Sequence, residues 1–189
     1  MAKKNTNVNL FKLRVILDTE EDVFRDIEIE CDSKFEALHS AVLDAFDFEE
    51  GEMSSFYMSN DEWEKGLEIS LMDMGEEGSM SMANTTLSEM ISKPGDKVLY
   101  VYDFLRMWIF YIEVMEVKKD KPSTIYPRVA LVYGDAPSQD SKEIVDMFGE
   151  EGIEEDEELF DDEDEDEFGT EDEMFDEDEF GGSYRYDED

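Results

Sequence analysis

Cys31 and His39 are the only thiol and the only imidazole in the chain. Together they could support nucleophilic catalysis, but only if the ring lies within hydrogen-bond reach of the sulfur. Cys31 ends a strand-like segment, and His39 follows on a helical one, on the same side as Phe35 and Val42. The expectation is therefore a buried histidine satisfying a local hydrogen bond. One Cys and one His also fall two protein ligands short of a zinc site. Serine-recombinase chemistry would need a nucleophilic Ser backed by several arginines, and Arg14, Arg25, Arg106, Arg128 and Arg185 are scattered. Neither GxGxxG nor GxxxxGK[ST] occurs, so nothing suggests a phosphate cradle. In DEDEDEFGTEDE the carboxylates alternate, yet a calcium loop starting at Asp162 puts its glycine at position eight instead of six. Starting at Asp164 places Gly169 at six but Phe168 at five and Phe175 at twelve, where oxygen ligands are required. No metal, no cofactor and no catalytic residue is expected, and the reading leans away from an enzyme.

The elements around these residues can be read from periodicity. VNLFKLRVIL (8–17) alternates in part, with Val8, Leu10, Leu13, Val15 and Leu17 as inward candidates. After the polar turn DTEED, VFRDIEIE puts Val23, Arg25, Ile27 and Ile29 on one face, which predicts a hairpin. Asp32 or Ser33 is placed to cap a helix carrying Phe35, Leu38, Val42, Ala45 and Phe46, with Glu36 near the capping-box position. SSFYMS and GLEISLM read as strands around the turn NDEWEK, and DMGEEGSMSMAN reads as an irregular loop. Thr85 or Thr86 caps a short helix. KVLYVYD and MWIFYIEVMEV then read as adjacent strands joined near Leu105 and Arg106, and YPRVALVYG as a last short strand. The aromatic run YVYDFLRMWIFYIEV is thus expected to serve packing. A final helical turn or two is expected within 138–160.

Charge divides the chain. Residues 138–189 hold 27 of the 55 Asp and Glu but only Lys142 and Arg185, a formal −25, leaving 28 acids against 14 bases, or −14, before them. Such a field opposes direct nucleic-acid binding and adsorption to anionic lipid, and favours a basic protein partner. No apolar run approaches the roughly 20 residues of a membrane span. MAKKNTNVNLF lacks the apolar stretch of a signal peptide, and one cysteine suits a reducing compartment, so a cytoplasmic protein is expected.

FKLRVIL, VFRDIEIE, LHSAVLDAFDF, the YDF phrase at 102–104, Trp108 and YPR at 126–128 occur in an order that resembles the plasmid Ri-type ORF-three-like family. Its members are also labelled insertion-element passenger (TnpR-like) proteins. The resemblance implies an α+β fold and no established reaction, and it marks Asp103, Phe104, Trp108, Tyr126 and Arg128 as binding positions. In the family, Gly and Asp usually follow YDF and a His stands two residues after the Trp. Those positions are Leu105, Arg106 and Phe110 here.

The reading as a whole is an α+β domain over 1–137, with a mixed or mainly antiparallel sheet and two or three helices. An acidic low-complexity tail over 138–189, expected to be disordered, follows it. Phe168, Phe175 and Phe180, set among the acids, are the expected tail contacts to a partner. The function expected is a non-enzymatic interaction module; the alternative is a divergent mobile-element-associated factor or enzyme.

Overall fold

Alternation of apolar and polar residues produces strands wherever one face can be buried. In the computed structural model, which describes residues 8–73, 75, 77–120 and 125–145, these segments pair into one eight-stranded sheet. The strands are β1 (Val8–Leu17), β2 (Val23–Glu30), β3 (Ser54–Ser59), β4 (Glu68–Ser70), β5 (Met80–Ser81), β6 (Lys97–Tyr102), β7 (Trp108–Asp120) and β8 (Arg128–Tyr133). Their order is β5-β4-β3-β6-β7-β1-β2-β8. Every pair is antiparallel except β4 with β5, so the sheet is mixed and the described chain is mainly strand. Two helices accompany it, α1 (Phe35–Ala45) and α2 (Leu87–Met90). Among the described residues no helix is long and apolar enough to cross a membrane. Most of the acidic segment, with Phe168, Phe175 and Phe180, lies outside the described residues, as does most of the helix expected within 138–160; its described part, 138–145, contains no helix.

The helix face of the sheet holds the core. Tyr100, Tyr102, Trp108, Phe110, Ile112 and Val114 project there from β6 and β7, against Phe35, Leu38, Val42 and Phe46 of α1 and its C-cap. The aromatic run is therefore packing: Phe110 meets Phe46 edge-on at 5.1 Å, and Tyr100 stacks on Phe56 at 4.4 Å. On β1, Phe11 takes the core place expected for Leu10, since Phe11 shares its face with Leu13, Val15 and Leu17 opposite Ile27 and Ile29. The other face is partly covered too. Leu99 and Val101 are buried on it, and Trp63, in the turn after β3, sets its ring 5.0 Å from Tyr111.

Two helix starts differ in origin. The cap expected at Asp32 or Ser33 is not used; Lys34 is the N-cap, and a lysine has no side-chain oxygen to offer. The first helical amides go instead to a distant loop, Phe35 N–H to Thr85 O at 3.0 Å and Glu36 N–H to Met82 O at 3.1 Å. At α2 the local signal holds: Glu89 reaches back to accept the Thr86 N–H at 2.6 Å. The segment expected as a loop before α2 contains β5, whose Met80 and Ser81 lie beside Ile69 and Ser70.

Candidate functional site

The five motif positions divide into two groups at opposite ends of β7. Asp103 ends β6 in a left-handed conformation (φ 55°) and turns the chain into β7. Its carboxylate accepts the N–H groups of Leu105 at 3.0 Å and Arg106 at 3.1 Å, and pairs with the Arg106 guanidinium at 3.2 Å. A carboxylate so engaged builds a turn. Arg106 stands where the family usually has an acid, and here it neutralises the buried Asp103. Trp108 is buried, edge-on to Phe48 at 5.2 Å, and its Nε1–H donates to Gln139 O at 3.0 Å. The Lys142 ammonium lies 5.3 Å over the same ring, and Val145 N–H donates to Leu105 O at 2.7 Å. Residues 139–145 thus pack on the β6–β7 corner, just beyond the expected boundary at 137. Phe104 points elsewhere, into an open groove of about 390 Å³ between β3, β4 and β5 with Met53, Leu67, Glu68 and Met80.

Tyr126 and Arg128 stand at the far end of the sheet, beside β2. Arg128 donates to Glu28 through Nε at 2.7 Å, and Lys118 of β7 closes on the other oxygen of the same carboxylate. The Tyr126 hydroxyl donates to Asp120, and its ring lies 5.4 Å from the Arg128 guanidinium. One row along β2, Asp26 is gripped by Arg14 at 2.8 and 3.0 Å, with Lys12 at 3.5 Å. Two nearly buried carboxylates on β2 are therefore each held by two cations. The alternation of Lys12 and Arg14 opposite Asp26 and Glu28 was the sequence signal for it, and sequence reasoning passed over it. This geometry ties β7, β1, β2 and β8 together.

For both carboxyls burial alone would raise the pKa, but the hydrogen bonds and charges of Arg14, or of Lys118 and Arg128, outweigh it and hold each below its ordinary value. A carboxyl depressed in the folded state adds stability above its unfolded value, and that stability is lost as pH falls through the folded one. The melting temperature should therefore fall steeply as pH drops below about 4, where unfolded carboxyls take up protons. Glu28→Gln should lower stability at neutral pH by about 2 kcal/mol, because Arg128 and Lys118 lose their counter-charge. Its further decline in acid should be shallower than that of the parent, and circular dichroism melts across pH give both results. Parallel acid limbs in the two proteins would show that Glu28 is not a linked group.

The thiol and the imidazole stay apart in role. Burial pushes the Cys31 thiol up to about 11, with Asp32 adding to the effect, which disfavours the nucleophilic thiolate. His39 lies in the core with Nδ1 2.6 Å from the Tyr100 hydroxyl and 3.5 Å from Ser54 Oγ. Burial lowers its pKa against the pull of Glu50 and Glu36. The ring pairs with Tyr100, while Asp103 is committed to its own turn. Among the described residues no three His, Cys, Asp or Glu side chains are grouped to hold a metal ion.

A family model described as plasmid pRiA4b ORF-3-like protein matches residues 9–184. The crystal structure of a protein of unknown function, MM3350 from Methanosarcina mazei Go1, has a TM-score of 0.63 and 20% identity, over 73% of this chain and 76% of that one. At that identity the likeness is one of fold. No curated protein sequence matches significantly. The motif order, the sheet that positions it and a match over most of the length lead to one conclusion: the chain belongs to the plasmid pRiA4b ORF-3-like family.

Proposed function

We propose that this protein is a non-enzymatic interaction module whose acidic segment, 138–189, binds a basic protein partner. The observation behind this reading is the charge distribution, with a formal −25 in that segment. Such a charge attracts polycations over a distance set by salt, about 30 Å at 0.01 M and about 10 Å at 0.1 M. The structural roles of the motif residues support the reading. Asp103 holds a turn, Trp108 a corner and Arg128 a charge cluster, while the thiol and imidazole are buried.

Aromatic residues among the acids supply apolar contact that charge alone does not. Polylysine added to the full chain should bind tightly at low salt, and the affinity should fall by about tenfold or more as salt rises from 0.02 to 0.2 M. Replacing Phe168, Phe175 and Phe180 together by Ser, at unchanged charge, should weaken binding a further severalfold. Titration calorimetry measures both. An absence of association at the lowest salt would remove the reading, and a silent triple substitution would reduce it to charge alone.

A further inference from the structure

Strand β8 is an edge whose pairing with β2 is irregular at Ala130, where the register skips between Leu131 and Val129. It pairs with β2 on one side, and among the described residues its other side meets no strand. An unpaired strand offers a row of N–H and C=O groups to any extended chain, and edges are commonly blunted by shortness, inward charge or proline. The opposite edge, β5, is two residues long, too short to act as a template. By contrast β8 runs for six residues, RVALVY, with proline only before it, at Pro127. After Arg128 its side chains are apolar and exposed on both faces: Val129 44%, Leu131 41%, Val132 64% and Tyr133 53%. Monomeric proteins seldom leave such a contiguous apolar strip in water.

The surroundings specify what would cover it. On the helix face, Asp44 of α1 shares a cleft of about 100 Å³ with Pro127 and Val129. Asp47, just past α1, and Asp135, just past β8, both act electrostatically on Arg25 beneath them. All three carboxylates are exposed, and none of them forms an ion pair among the described residues. Two cations lie near them among the described residues: buried Arg25, which faces Asp47 and Asp135, and Arg128, which lines the cleft with Asp44 but is paired with Glu28. The strip therefore lies beside an excess of negative charge. A second copy of the chain, with its formal charge of −39, would bring like charge to like, as would the chain's own acidic segment.

We infer that β8 is a docking edge for an extended segment of another protein in which β-branched apolar residues alternate with lysine or arginine. The segment adds as a ninth strand. Main-chain hydrogen bonds to β8 supply affinity, apolar side chains cover the β8 strip, and basic side chains reach over Val129 and Val132 toward Asp44, Asp47 and Asp135. The site uses no residue of the acidic segment, and the two readings fail independently.

The test is hydrogen–deuterium exchange on the full chain with a blocked peptide alternating lysine and valine. Its control is the same peptide N-methylated at every residue, which keeps the charge and removes all the ladder-forming N–H groups. With the lysine–valine peptide the amides of β8 should exchange about tenfold more slowly or less than that again, since their opening is then coupled to peptide release. With the control peptide they should stay unchanged even where it binds the acidic segment. Val132→Lys should abolish the protection at an unchanged melting temperature, whereas Met72→Lys, an equal charge change at another exposed position, should preserve it. Binding of the lysine–valine peptide without protection of β8 would overturn the inference. So would β8 protection in the free protein that rises with concentration while sedimentation reports a doubled mass, which would assign the edge to a second copy.

Discussion

Replacing Arg25 by Met is expected to lower stability by about 3–5 kcal/mol, the cost of stranding several buried acceptors at once. Arg25 lies on the core-facing side of β2 and is 5% exposed. Its Nε–H donates to Ala45 O at 2.9 Å, and Nη1 donates to the carbonyls of Phe24, Tyr133 and Gly134 at 2.8–3.1 Å. One side chain thus joins the end of α1 to the end of β8. No basic residue occupies the last turn of α1, so this cation from β2 meets the negative end of the helix in its place. The guanidinium also lies 4.8 Å from the Phe46 ring.

Burial lowers the pKa of Arg25, while Asp47 and Asp135 oppose that shift, so the charge is kept in the fold by its carbonyl partners and these acids. Methionine would fill much of the space and satisfy none of the carbonyls. Lysine should recover only part of the loss, because a single ammonium cannot reproduce the planar fork that spans the helix end and the strand end. Urea denaturation of both variants would measure this. A loss under about 1 kcal/mol for Arg25→Met would mean that water serves the carbonyls as well as the guanidinium does.

Trp108→Ala should cost a comparable amount, about 3–5 kcal/mol, and lower the melting temperature by about 10–20 °C. The indole is 3% exposed and wedged between Phe48 and the segment carrying Gln139 and Lys142. Truncation would leave a cavity at the corner and free the Gln139 carbonyl, loosening residues 139–145. Trp108→Phe separates the two effects: it keeps most of the packing and loses only the donor, for an expected cost of about 1–2 kcal/mol. Differential scanning calorimetry would distinguish the pair. Equal losses for Ala and Phe would show that the hydrogen bond, and not the ring, holds the corner.

The strands were legible because their cause is local. Alternation in VFRDIEIE and the β-branched, aromatic composition of KVLYVY and WIFYIEV bury one face whatever lies opposite, and the structure has strands at Val23–Glu30, Lys97–Tyr102 and Trp108–Asp120. Helix α1 was legible in its apolar spacing but not in its start. Its first amides are satisfied by the carbonyls of Met82 and Thr85, a partner no local rule reveals. Strand β5 was missed for the same reason, since two residues have no period of their own and owe their strand to β4.

The motif positions show the limit more sharply. The resemblance marked Asp103, Phe104, Trp108, Tyr126 and Arg128 as binding positions without saying which of them meet, and β7 runs its full length between the two groups they form. Residue types alone supplied one thiol, one imidazole and a formal charge of −39, from which a structural histidine and a basic partner were expected. Only the tertiary structure decided that His39 meets Tyr100, that Glu28 is shared by cations from strands on both sides, and that Arg25 closes the end of α1. Local sequence fixes which face of a strand is apolar. Which charged groups then meet depends on strand order and register, set by the packing of the whole sheet.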